Sequence, residues 1–222
     1  AEYARSVPED FRFSVKAPNS VSLTHYYRKS KLDPLEANPH FLSADLFREF
    51  LDCLGPIRAR LGPVMLQFEY LNRQKMSSRV EFFEGLGKFA RKVAGECDLA
   101  VEIRNPNYLG QTWFALLDES KVTPVFCQGY YMPFVGDVYA KVRQLVNRGA
   151  VVRLMGPDRK AVEGKAGGRW NRVVDPRDEE LSGVVEMVRD LLARGVPVYV
   201  NVNNHYEGCS PLTMEKIHRA FS

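Results

Sequence analysis

Hydrophobic and polar residues alternate strictly over 99–105: Leu99, Val101 and Ile103 form one apolar face, and Ala100, Glu102 and Arg104 the other. The same period of two recurs at 11–16, where Phe11, Phe13 and Val15 oppose Ser14 and Lys16. It recurs at 64–70, where Val64, Leu66, Phe68 and Tyr70 oppose Met65, Gln67 and Glu69. Further strands are expected at 122–128, at 150–156 with Val151, Arg153 and Met155 on one face, and at 196–203.

Helical spacing fills most of the intervals. Ser43 is placed to cap a helix carrying Leu46, Phe47, Phe50, Leu51 and Leu54, which Gly55-Pro56 interrupts. Ser78 caps one carrying Val80, Phe83, Leu86, Phe89, Ala90 and Val93, which Gly95 ends. Shorter helices are expected at 113–117 and 137–147, a long one at 178–193, and a last one with Ser210 as cap and Pro211 at its first position. The stretches 19–42 and 157–172 lack sustained periodicity and read as loops. The second of them concentrates Arg159, Lys160, Lys165, Arg169 and Arg172 around Trp170.

Six strands, all but the first preceded by a helical segment, imply right-handed βαβ units and a parallel sheet covered by helices. The expected fold class is α/β, a TIM-type (β/α) barrel. A closed barrel of that type has eight strands. Residues 1–5 read as the end of a helix with no capped start, so a missing amino-terminal βαβ portion would account for the shortfall. With 222 residues and no long linker, one domain over 1–222 is expected.

Composition narrows the class further. The 45% hydrophobic content suffices for a sizeable core, and no apolar run reaches membrane-spanning length or resembles a signal peptide. Cys53, Cys97, Cys127 and Cys209 are irregularly spaced, which points to reduced thiols in a cytoplasmic protein rather than to disulfides or a zinc site. The net charge of +4 permits an anionic ligand but is too mild to indicate nucleic acid by itself.

In a parallel barrel the face opposite the helices is the interior, and chemistry sits at the carboxyl ends of the strands. Glu102 and Arg104 are placed there, and charges in such a position are costly unless paired or ligand-bound. Lys16, Arg104 and Arg153 are expected to converge as an anion clamp, with Gln67 and Glu69 on the same face and Asn201 and Asn203 available to hydroxyls or amides. His25, in the first loop, is a candidate acid–base group beside Glu102. No second histidine lies at metal-ligand spacing from it, so neither a metal nor a cofactor is expected. Asn204 is either a ligand contact or a turn residue, and His205 and Glu207 follow where barrel loops meet substrate.

The segments FRFSVKAP (11–18) with Thr24-His25, LGPVMLQF (61–68), VEIR (101–104), VRLMG (152–156) and VYVNVNN (198–204) resemble, in order, the YecE-like family, domain of unknown function 72. The resemblance implies a TIM-type barrel whose first two strands precede this segment, and it supplies no reaction. It implies that Lys16, Thr24, His25, Gln67, Glu102, Arg104, Arg153, Asn203 and Asn204 fall on the family's recurrent polar positions. Glu69 stands where the family commonly has proline, and Met155 where it often has histidine, which removes one candidate proton carrier.

The expected function is that of a barrel enzyme, a hydrolase or an isomerase, acting on a small anionic or polyhydroxylated ligand. Glu102 and His25 would be catalytic, and Lys16, Gln67, Glu69, Arg104, Arg153, Asn201, Asn203 and Asn204 would bind substrate. The alternative is a binding module for nucleic acid or a phosphorylated ligand that uses the basic 157–172 stretch; no membrane partner is expected.

Overall fold

The structure, a computed structural model, describes residues 2–30, 32–129 and 131–222, so the reading of residue 1 as part of a helix end lies outside it. Two units are distinguished. The first runs to Tyr108 and includes Ala115–Thr123; the second comprises Leu109–Phe114 and Pro124–Ser222.

In the first unit, short helices α1 (Glu2–Arg5) and α2 (Asn19–Ser22) flank β1 (Phe13–Lys16). They are followed by α3 (Ala44–Cys53), β2 (Leu61–Gln67), α4 (Arg79–Lys92) and β3 (Leu99–Glu102). The two predicted caps form: Ser43 Oγ accepts from Leu46 N–H at 3.3 Å and Ser78 Oγ from Glu81 N–H at 3.1 Å. Each is worth about 1 kcal/mol of helix stability. Gly55-Pro56 turns the chain into a 3₁₀ stretch, Gly55–Arg60, as their backbone chemistry requires.

The three strands pair in parallel, β1 with β2 and β2 with β3, with Lys16 opposite Met65, Leu66 opposite Val101 and Gln67 opposite Glu102. Phe68, 1% exposed, packs edge-on against Phe82 of α4 at 4.9 Å, which identifies the side of β2 carrying Leu66 and Phe68 as the helix-covered one. Gln67 therefore faces the opposite way, and Glu102 with it.

β2 and β3 end earlier than the alternation suggests, leaving Glu69, Tyr70 and Arg104 in the loops beyond them. The cause is Asn105, 1% exposed, whose amide accepts from Leu71 N–H at 2.8 Å and donates to Leu71 O at 2.9 Å. A side chain replaces the ladder there and satisfies the backbone groups that pairing would have used.

α5 (Gln111–Glu119) contributes residues to both units. Beyond it come β4 (Thr123–Gly129), α6 (Val135–Val142), β5 (Ala150–Gly156), α7 (Arg159–Ala166), α8 (Asp178–Ala193), β6 (Val198–Val202) and α9 (Ser210–Arg219). β4, β5 and β6 pair in parallel, with Cys127 opposite Arg153 and Arg153 opposite Asn201. α6 starts two residues early, because Val135 N–H finds an acceptor in Gln128 Oε1 at 3.0 Å from the end of β4.

Two expectations are corrected in this unit. The stretch 157–172 is not wholly a loop, since α7 occupies its first half: Asp158 accepts from the N–H groups of Lys160 and Ala161, and Gly167, at φ 55°, ends the helix. Its buried stripe is only Val162 and Ala166, too narrow to register as helical periodicity. Ser210 is also not the cap of α9. It is the first helical residue, its N–H is taken by Asn204 Oδ1 at 2.8 Å, and Cys209 holds the cap position without a side-chain bond.

Candidate functional site

Beyond the carboxyl ends of β1, β2 and β3, the first unit forms an open cavity of about 200 Å³ lined by Lys16, Asn19, Leu23, Tyr27, Gln67, Phe68, Glu69 and Arg104. Lys16 is the last residue of β1, and its ammonium donates to Asn19 Oδ1 at 2.5 Å on the following turn. Arg104 Nε donates to Glu102 Oε1 at 3.1 Å; the carboxylate is fully buried while the guanidinium keeps 34% of its side chain exposed. A carboxylate so placed is retained against its desolvation cost by its cation. Glu69 Oε2 pairs with Lys75, whereas its buried Oε1 has no hydrogen-bond partner among the described residues. An acceptor left in that state is open to a hydroxyl or a water.

Two cations, Lys16 and Arg104, and one carboxylate, Glu69, thus line one mouth, with Glu102 buried behind Arg104. The arrangement can hold an anionic group on Lys16 and Arg104 and place hydroxyls against Gln67 and Glu69.

His25 stands apart from that cavity. It lines a separate, wider opening of about 550 Å³ with Thr24, Asn38, Arg73 and Lys75 among its walls. Its Nδ1 lies 3.0 Å from Thr24 Oγ1, and its backbone forms an isolated bridge to Ala37. Asn38, 5% exposed, fixes this loop by donating to Ser20 O at 2.8 Å and Leu23 O at 2.6 Å.

In the second unit Arg153 and Asn201 are lateral neighbours on β5 and β6, both half-buried. Asn203 follows on the same face of β6 but beyond its end, with its N–H on Leu154 O at 2.8 Å. Asn203 Oδ1 accepts both the backbone N–H of His205 at 2.9 Å and its Nδ1 at 2.6 Å. His205 Nε2 lies 3.1 Å from Glu163 Oε1 on α7, and the Trp170 ring meets the imidazole edge-on at 5.0 Å. Arg159, with His205 second, holds the Glu163 carboxyl below the usual carboxylate range.

Two glycines bring the strand ends close to this turn. Gly156, at φ 81°, lies so near His205 that a Cβ would stand 2.0 Å from its carbonyl oxygen, and a Cβ on Gly129 would stand 2.4 Å from Gly156 O.

Glu207 proves to be an anchor. It is fully buried, and its carboxylate accepts from Arg177 N–H at 2.8 Å, Lys216 Nζ at 2.9 Å and Thr213 Oγ1 at 2.7 Å. Its carbonyl takes the N–H groups of Val174 and Asp175. Nothing in the sequence distinguished this saturated role from a substrate contact, because one of its donors, the Arg177 N–H, lies 30 residues away along the chain.

Within the 157–172 stretch Lys165 pairs with Asp175 and Arg159 with Glu163, so two of its cations are engaged internally. All four cysteines are free thiols, and burial pushes the Cys97 thiol up to about 12. Among the described residues no group of three or more histidine, cysteine or carboxylate side chains could hold a metal, and no helix is long and apolar enough to cross a membrane.

The family model for the protein of unknown function DUF72 matches residues 1–222. Among solved structures, a DUF72 family protein of Thermotoga maritima is 23% identical with a TM-score of 0.65, over 99% of this chain and 77% of that one. A DUF72 family protein of Enterococcus faecalis is 18% identical with a TM-score of 0.66, over 99% and 77% respectively. The likeness fixes the fold as α/β of the TIM-barrel type. No curated protein matches the chain.

Proposed function

The chain belongs to the DUF72 family, proteins of unknown function, and on that premise we propose that it is an enzyme acting on a small anionic or sugar-like substrate at the carboxyl ends of its strands. The observation that carries the reading is the 200 Å³ cavity of the first unit, which Lys16, Gln67, Glu69 and Arg104 line together. Lys16 and Arg104 clamp the anionic group. Glu102, buried behind Arg104, fixes the guanidinium and is the carboxylate available for proton transfer once a substrate displaces that contact. The Glu69 oxygen without a donor receives a substrate hydroxyl. Hydrolysis and isomerisation both use such a carboxylate, and the cavity suits a compact metabolite better than a polymer.

The test is a thermal-shift screen of sugar phosphates, small carboxylates and inorganic sulfate, run in parallel on the wild type and on Lys16→Ala and Arg104→Ala. A ligand that stabilises the wild type and neither variant supports the reading, and its turnover is then followed by NMR. Equal stabilisation of all three proteins would overturn it.

A further inference from the structure

We propose that the second unit carries a carbohydrate-binding subsite of its own at the carboxyl ends of β5 and β6, with Trp170 as the apolar platform and Asn201, Asn203 and the His205–Glu163 pair reading the hydroxyls. The proposal rests on the second unit alone and does not require the anion cavity of the first.

The first support is the direction of the hydrogen bonds. Asn203 Oδ1 accepts the backbone N–H of His205, which only the oxygen of the amide can do, so the amide orientation is fixed. Nδ1 of His205, 2.6 Å from that same oxygen, must then be a donor. The nitrogen that remains, Nε2, is directed at Glu163 Oε1, 3.1 Å away. Asn203 and Glu163 thus hold the imidazole from both sides, and the remaining acceptor capacity of the Glu163 carboxylate and the NH₂ of Asn203 lie beside it for ligand hydroxyls.

The second support is an unused amide. Asn201 is half-buried beside Arg153, and its side chain makes no hydrogen bond among the described residues. It has two donors and an acceptor to offer. It lies two residues before Asn203 on the same face, roughly 7 Å away by the strand rise, a span comparable to one six-membered sugar ring. Mixed donors and acceptors suit vicinal hydroxyls, whereas a bare phosphate would call for donors only.

The third support is the rigidity of the platform. Trp170 follows Gly167 and Gly168, both at positive φ, and Arg169 N–H just before it is tied to Ala166 O at 3.0 Å. Buried Glu207 takes the N–H groups of Val174, Asp175 and Arg177, and Gly208 allows the backbone at Arg172 to approach so closely that a Cβ would lie 2.8 Å from Arg172 O. The half-buried Trp170 ring, 5.0 Å from an imidazole that Asn203 and Glu163 hold, is the apolar surface this unit offers to the C–H face of a sugar.

The chain has two tryptophans, and Trp113 is fully buried, so ligand-dependent fluorescence reports on Trp170. The experiment titrates glucose, galactose and N-acetylglucosamine, with inorganic phosphate at matched ionic strength. A saturable change is expected with at least one of the sugars and none with phosphate. Asn201→Ala, which removes a ligand hydrogen bond, should weaken it by about tenfold or more, and His205→Ala, which releases Asn203 and the Trp170 contact, should weaken it as well. Trp170→Phe should retain sugar binding by calorimetry, while Lys16→Ala and Arg104→Ala should respond like the wild type. No saturable response to any sugar, an equal response to phosphate, or a response unchanged in both Asn201→Ala and His205→Ala would overturn the proposal. Loss of the response only in the Lys16 and Arg104 variants would overturn it too, while supporting the anion cavity.

Discussion

Arg104 Nε sits 3.1 Å from Oε1 of a Glu102 carboxylate that is fully buried, yet the arginine itself is one third exposed at the mouth of a cavity. Desolvating a carboxylate in this way costs free energy that one contact to a partly exposed cation need not recover. Here the cation remains reachable, which is the arrangement a ligand can exploit.

Glu102→Gln is therefore expected to leave the melting temperature nearly unchanged or raised, and to change the affinity for the anion found by screening. Removing a charge from a site held for function commonly relieves the fold rather than injuring it. Scanning calorimetry and titration calorimetry on the same variant check this. A loss of about 3–5 kcal/mol with affinity intact, the signature of one broken partner in a structural pair, would reassign Glu102 to the scaffold.

Glu207 should behave in the opposite way. Its carboxylate satisfies three donors in a fully buried position, so Glu207→Ala is expected to cost about 3–5 kcal/mol in urea denaturation. Thr213→Val, which removes one of those donors and the bond to Cys209 O, should cost about 1–3 kcal/mol. A near-neutral Glu207→Ala would mean that the 173–177 segment is held by something else.

Gly156 and Gly164 separate backbone necessity from incidental glycine. Gly156→Ala puts a Cβ against the His205 carbonyl at a positive φ and should destabilise by more than about 2 kcal/mol. Gly164 lies inside α7 with nothing within 4 Å of the added carbon, so Gly164→Ala should stabilise by about 0.5–1 kcal/mol. Chemical denaturation of the two variants decides both signs.

Acid sensitivity is expected at Asp190. Arg143, which binds it through two nitrogens at 2.7 and 2.8 Å, and Tyr139 hold its carboxyl down at about 2 against an ordinary 3.8. Because the folded value is the lower one, the stabilisation is present above 3.8 and is lost as pH falls through about 2. Melting curves of the wild type and Asp190→Asn, compared from about pH 5 downward, should converge at the acid end. A constant offset between them would exclude the titration of Asp190 as the cause.

Period-two and period-3.6 spacing was enough to specify the α/β class, the β5 and α8 boundaries, the Ser43 and Ser78 caps and the shared face of Gln67 and Glu102. Those features depend on neighbours along the chain, where backbone geometry converts spacing directly into direction. What tertiary structure decided depends on partners far apart in sequence. Asn105 stops two strands by binding Leu71, 34 residues away. Asn204, rather than Ser210, serves the start of α9, and α7 forms on two buried residues because Asp158 and Gly167 close its ends. Glu207 is an anchor only because Arg177, Thr213 and Lys216 converge on it, and His205 gains its orientation from Asn203 and its carboxylate from Glu163 on α7. Local pattern determines which way a side chain points. Whether the group it meets there is a partner, a cap or an opening is set by the packing of distant segments, which no single stretch of sequence contains.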